Sequence, residues 1–338
     1  MTQYDVVIVG GGPVGLACGI EAKKAGLSHL IIEKGAITDA VRRYPLNMEF
    51  FSTTDKISIG NLPFTITNMR PSREQALQYY RTTVDHYQLN MQLFTEVSNI
   101  DKEDDTFTVA TKKGEEYSAD RVIIATGYFD HPNKLGIPGE ELPHVSHYFD
   151  DPFKYSQTKV VVVGGSNSAV DTALDLYRHG ADVTLVHRKD HFSDSVKYWI
   201  LPDIRNRIKE ESIGARMNTV IEKMDGHDVH LLCLDDHRRE TLQADFVLLM
   251  TGYHADPSFL KQAGINVEEE TLMPYCDEDT YETNIPGLYV AGSVIAGKII
   301  KSIFIENGRE HAKMIVDDIA SKKEAVKEVR KDVSPDQC

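Results

Sequence analysis

The chain has 338 residues, 41% of them hydrophobic, a net charge of −15 and four cysteines. That apolar content excludes a chain too polar to fold, and the length suggests about two domains. The acidic balance, without a long basic run, argues against nucleic acid or an anionic membrane as the main partner. No apolar run reaches the roughly 20 residues of a membrane helix. The N-terminus shows no basic region followed by an apolar stretch, so no leader is expected. Cys18, Cys233, Cys276 and Cys338 are scattered without a C-x-x-C pair, so neither a zinc site nor a disulfide framework is expected. Together these features predict a soluble, cytoplasmic protein without a metal.

Taken in chain order, the first predicted element is a strand over Val6–Val9, entering the glycine-rich stretch DVVIVGGGPVGLACG. A helix is predicted from Val14 to Ala25. Gly10, Gly12 and Gly15 fit G-x-G-x-x-G, with Pro13 and Val14 inside the turn. The first glycine makes the turn, the second admits a pyrophosphate against the backbone, and the third lets helix and strand pack closely. The helix N-terminus offers free N–H groups to the phosphates. A second strand, HLIIEK, ends at Glu33, about where an acid would hold a ribose.

The pattern then recurs. KVVVVGGSNSAVDTALDLYRHG reads as strand, turn and helix, with Gly164-x-Ser166-x-x-Ala169 as a relaxed form of the same spacing. Gly165, Ser166, Asn167 and Ser168 are the expected phosphate-binding residues. The following strand, ADVTLVHRK, ends in His187, Arg188 and Lys189 where the first unit has Glu33. Cations there would pair with a 2′-phosphate, so this site is expected to prefer NADPH over NADH. Two further strands, RVIIATGY and FVLLMTGY, each end in Thr-Gly-Tyr, placing Ala125, Thr126 and Gly127 after one unit and Thr251 and Gly252 after the other. Small residues at such strand ends let backbone pass close to a nucleotide. Two dinucleotide sites in one chain suit a flavin enzyme reduced by a nicotinamide.

With IPGLYVAGS and the helical run after it, the chain resembles the two-dinucleotide-binding flavoproteins of the low-molecular-weight thioredoxin reductase type, from about Tyr4 to Ile319. The fold implied is α/β, with two Rossmann-like domains. A discontinuous FAD domain would take residues 1–130 and 256–338, and an NADPH domain 131–255. The resemblance implies that FAD is held by the Gly10–Gly15 turn, Glu33, Lys34, Thr53, Thr54, Val97, Gly292, Ser293, and the start of a helix near Ser302 and Ile303. Serine stands at 293 where the wider family usually has aspartate. It also implies a homodimer. The dithiol of thioredoxin reductases is missing: HVSHYFDDPFKYSQTK, before the second glycine turn, holds no cysteine.

FFSTTDKISIGNLPF, RPSREQALQYYRTTVDHYQLN, GGSNSAVDTALDLYRHGADVTLVHR and VKYWILPDIRNRI narrow the resemblance to the YpdA-type bacilliredoxin or bacillithiol disulfide reductases, which also lack C-x-x-C. This implies an NADPH-dependent FAD enzyme of thiol redox homeostasis, acting on bacillithiol disulfide or a bacilliredoxin-like protein. Many members carry a cysteine where this chain has Val14. Cys18, one helical turn on, is a weak candidate for a displaced thiol, and more simply a core residue. Cys233 is expected in the core, Cys276 in an exposed loop, and Cys338 in a frayed tail. His131, His144 and His147 are expected at the surface. Two alternatives stay open. One is a ferredoxin- or flavodoxin-NADP reductase of the thioredoxin reductase type, although no aromatic residue follows Phe304 to cover a flavin. The other is a flavin-based redox sensor.

Overall fold

The structure, a computed structural model, describes residues 2–299 and 302–332, with side chains as far as 325. The chain divides into two compact units, residues 1–131 with 253–338, and residues 132–252. The sequence-based boundaries were 130/131 and 255/256.

Apolar runs rich in β-branched residues form the central parallel strands, and glycine or polar clusters between them turn the chain. In order, the first stretch gives β1 (Gln3–Val9), α1 (Pro13–Lys24), β2 (His29–Ile32), α2 (Asp39–Arg42), α3 (Thr54–Ile57) and α4 (Arg73–Tyr87). Ser72 and Gln75 close a reciprocal capping box at the start of α4. Next come β3 (Met91–Gln92), β4 (Val97–Glu103), β5 (Thr106–Thr111) and β6 (Glu116–Ile124). The second unit holds β7 (Val145–Ser146), β8 (Lys159–Val163), α5 (Asn167–Arg178), β9 (Asp182–Val186), α6 (Leu201–Lys209) and β10 (Gly214–Arg216). It continues with β11 (Thr219–Asp225), β12 (Asp228–Cys233), β13 (Arg239–Gln243) and β14 (Phe246–Leu249). The chain returns to the first unit with α7 (Pro257–Gln262), β15 (Leu288–Val290) and the long α8 (Ile305–Asp332). Cys338 and the residues after 332 lie outside the described residues.

In the first unit, β3, β2, β1 and β6 run parallel in that order, and β15 lies parallel to the last three residues of β6. The opposite half of β6 pairs antiparallel with β5, and β5 with β4. In the second unit, β10, β9, β8, β14 and β7 form an all-parallel sheet, and β11–β13 a separate antiparallel one. β1 and β8 therefore occupy matching places, each between a strand that follows through a helix and one that arrives from much later in the chain. That reversal of strand order opens a crevice at the carboxyl ends, where open α/β sheets bind their ligands. The carboxyl-terminal residues of β1 (Val6–Val9) and β6 (Val122–Ile124), like the apolar residues of β2 and β8, read as continuous apolar runs because both sheet faces are covered there.

Candidate functional site

The first turn is built at the carboxyl end of β1. Gly10 has φ +109° and donates its N–H to the Ile32 carbonyl at 2.9 Å. A Cβ on Gly10 would lie 2.5 Å from the Ala125 oxygen, and one on Gly15 2.0 Å from the Gly10 oxygen. Both positions are closed to any side chain. At Gly12 an added Cβ would meet nothing within 4 Å, so the backbone there is open on its outer side. Pro13 takes the first helical position, where a missing N–H costs nothing. No side chain caps α1. Its first N–H groups are left facing an open approach, the arrangement a diphosphate fits.

Glu33 follows β2 and is buried. Its Oε2 accepts the Gly11 N–H at 2.6 Å and its Oε1 the Gly35 N–H at 2.8 Å. Burial raises its pKa, even though both bonds favour the carboxylate. Each oxygen keeps a lone pair for a ribose hydroxyl. Lys34 pairs with Asp130 at 2.6 Å, and Asp130 also bonds Arg43. Val97 is buried at the start of β4, just beyond Thr95, whose N–H donates to the Glu33 carbonyl at 2.9 Å. Across β1, the Ala125 N–H donates to the Val9 carbonyl, Thr126 is exposed, and Gly127 has φ +70°. A Cβ on Gly127 would sit 3.4 Å from Ser293 Oγ, so the ends of β6 and β15 converge beside this turn.

Thr53 and Thr54 are half-buried at the start of α3. Ser52 hydrogen-bonds Glu306, and Arg309 donates to the Asp55 carbonyl at 2.9 Å, tying α3 to the first turns of α8. Ser302 and Ile303 precede α8 instead of opening it. The helix begins at Ile305 because the Phe304 N–H is satisfied by the Asn307 side chain at 2.8 Å, one half of a capping box. The Ser302 hydroxyl is spent on the Ile299 carbonyl.

Val14 is a wedge. A Cβ on Gly292 (φ +74°) would lie 3.0 Å from its methyl group, and one on Gly308 3.2 Å from it. The two glycines exist so that α1, α8 and the end of β15 can close on that valine. Cys18, the candidate for a displaced thiol, lies one helical turn beyond Val14 on α1. It is fully buried in the core, and burial pushes its thiol up to about 12. Cys276, expected to be exposed, is half-buried and pairs with Thr283 in an antiparallel bridge, its thiol also raised by burial. Cys233 ends β12 half-buried instead of sealed in the core.

The second turn repeats the construction. Gly164 has φ +145° and donates to the Val186 carbonyl at 3.0 Å. A Cβ on it would strike the Met250 oxygen at 2.5 Å. Gly165 lies directly under the His187 ring, where a Cβ would approach to 2.3 Å. Ser166 and Ser168 are exposed, and no side chain caps α5. Asn167, expected at the phosphates, uses its side chain elsewhere: Nδ2 donates to the Ser195 carbonyl at 2.8 Å and Oδ1 accepts the Lys197 N–H at 3.0 Å. With the Ser193 N–H on the Gly165 carbonyl, these bonds fold residues 193–197 against the turn. Thr251 donates to the Asn133 carbonyl at 2.7 Å, and Gly252 has φ +88°. Arg188 and Lys189 are exposed beyond β9, with no ion-pair partner among the described residues. His147, expected at the surface, is largely buried on Glu140 at 3.2 Å.

Sequence reasoning missed His311, Asp171 and the anchoring role of Asn167. Asp171 lies in the same quoted stretch as Asn167, but nothing local marks its burial, and the partners of Asn167 are 28 and 30 residues away. Among the described residues there is no group of His, Cys, Asp and Glu able to hold a metal, and no helix long and apolar enough to cross a membrane.

A family model described as "Pyridine nucleotide-disulphide oxidoreductase" matches residues 7–292. The chain is 40% identical over 323 residues to the bacilliredoxin reductase Bdr of Bacillus subtilis, covering 95% of this chain and 99% of that one. It is similar to the solved bacillithiol disulfide reductase Bdr (YpdA) of Staphylococcus aureus, with TM-score 0.92 and 40% identity, covering 96% of this chain and all of that one. A ferredoxin–NADP reductase of Ignicoccus hospitalis is 28% identical over 299 residues, 86% of this chain and 90% of its own length.

Proposed function

The chain belongs to the pyridine nucleotide-disulphide oxidoreductase family, as an oxidoreductase using FAD and NADPH, and on that premise we propose that it reduces bacillithiol disulfide or an oxidised bacilliredoxin, acting in the cytoplasm as a homodimer. The observation that carries this reading is the doubled turn. Two uncapped helix N-termini stand at strand-order reversals, one beside a buried acid and the other beside two exposed cations. The curated and solved relatives at 40% identity support the choice of acceptor.

In this reading, the Gly10–Gly15 turn and the first N–H groups of α1 hold the FAD diphosphate, and Glu33 the adenosine ribose. Thr53, Thr54, Gly127, Ser293 and the approach to α8 flank the rest of that nucleotide. Lys34 acts through its pair with Asp130, fixing the rim of the site. The N–H groups of Ser168 and Ala169 hold the NADPH diphosphate. Arg188 and Lys189 take the 2′-phosphate, and the His187 ring shields the turn from water. When bound, the two cofactors supply hydride chemistry, and the protein supplies orientation and dryness. The balance is one NADPH and one proton consumed for each disulfide converted into two thiols.

Cys18 takes no part, because a thiol held near 12 in the core is neither ionised nor reachable. Under argon, the protein with NADPH and bacillithiol disulfide should release two thiols per NADPH, at the same rate in wild type and Cys18→Ala. Consumption of NADPH only when ferredoxin is added would overturn the reading in favour of the ferredoxin reductases.

A further inference from the structure

His311 sits in the second turn of α8 and is 6% exposed. It lies in the helical run after IPGLYVAGS but in no motif described above, and its ring is held on two sides. One face stacks on Tyr281, with centroids 4.0 Å apart and planes 13° from parallel. Its Nδ1 accepts the N–H of Gly292 at 3.2 Å, in a buried hydrogen bond. An imidazole nitrogen that accepts carries no proton, so the ring is neutral with its hydrogen on Nε2. Burial alone pulls its pKa down to about 4, which keeps that acceptor available.

Gly292 is no ordinary partner. It has φ +74°, it presses on Val14 in the first glycine turn, and the next residue is Ser293, whose hydroxyl approaches Gly127. A glycine in this conformation has few restraints of its own. Its buried N–H needs an acceptor, and among the described residues the His311 ring provides it.

We propose that His311 is a positioning residue for the flavin site: its Nδ1 fixes the Gly292 turn, and through it places Ser293 and the wedge of Val14 against the first turn of α1. This rests on the reading that the Gly10–Gly15 turn binds FAD. The role belongs to the acceptor atom and not to the bulk of the ring, and two substitutions separate them. His311→Phe keeps a ring to stack on Tyr281 but offers no acceptor. His311→Asn loses the stack but puts Oδ1 close to the place of Nδ1.

The full-length apoprotein of wild type and both variants is titrated with FAD, following quenching of flavin fluorescence, and the melting temperature of each apoprotein is recorded. The expected result is FAD bound about tenfold more weakly by His311→Phe, with His311→Asn within about threefold of wild type, whatever the order of the melting temperatures. Equal FAD affinity in wild type and His311→Phe, or binding weakened as much in His311→Asn as in His311→Phe, overturns the inference. Failure of the wild-type apoprotein to bind FAD would instead overturn the assignment of the first turn.

Discussion

Arg188 and Lys189 are the residues that most directly separate the two turns. They leave β9 exposed and, among the described residues, without an ion-pair partner, where Glu33 leaves β2 buried and bonded. A buried carboxylate accepts hydroxyl hydrogens, whereas free cations at a strand end meet a phosphate without first losing another partner. A charge-assisted contact of this kind contributes about 1.5–3 kcal/mol. Removing both side chains in Arg188→Ala/Lys189→Ala should therefore raise KM for NADPH about 30-fold or more, while leaving KM for NADH within about twofold. Steady-state kinetics with the two nucleotides check this. An equal rise for both would mean the pair does not read the 2′-phosphate. This contrast was legible in the sequence, an acid at one strand end and cations at the other; what the folded chain adds is that Glu33 is buried while Arg188 and Lys189 are exposed.

Helix α5 shows how one element can carry a cost for the fold. Asp171 is half-buried on it, with no hydrogen-bond partner among the described residues. Burial raises its pKa from 3.8 to about 7, more than the more distant Arg178 offsets. An acid whose folded pKa is raised holds its proton more tightly folded than unfolded. Stability therefore falls as pH rises from about 4 to about 7, and is flat above that. Asp171→Asn should stabilise the protein at pH 8 by about 1–2 kcal/mol, less than the whole shift because solvent still reaches the side chain, and the gain should vanish near pH 4. Urea midpoints at the two pH values check it, and a gain equal at both would point to packing instead. At this scale, β1, α1, β2, β8, α5, β9 and β14 were legible in the sequence, because continuous apolar runs and positive-φ glycines are local signals. The start of α8 was not. It depends on Asn307 reaching back to the Phe304 N–H, which moves the helix two residues past Ser302–Ile303. The acceptor on Gly292 was invisible for a plainer reason: it comes from one of 13 histidines, in a helix with no motif to single it out.

At the scale of the whole molecule, each unit carries its own sheet, its own reversal of strand order and its own uncapped helix. The family match spans residues 7–292 and so takes in both turns, and the proposed function reads them as two nucleotide sites serving one electron path. The exit from that path sets the chain apart from thioredoxin reductases. The sequence has no C-x-x-C, position 14 is a packed valine, and Cys18 is sealed in the core. Whether electrons reach a disulfide all the same is settled by one half-reaction. The anaerobic protein is reduced with one equivalent of NADPH and mixed with bacillithiol disulfide, while flavin absorbance is followed. The expected result is bleaching by NADPH and recovery of the oxidised spectrum at least as fast as steady-state turnover. A flavin that stays reduced with the disulfide and with oxidised bacilliredoxin, but recovers with ferredoxin, would contradict disulfide reduction as the function of this protein.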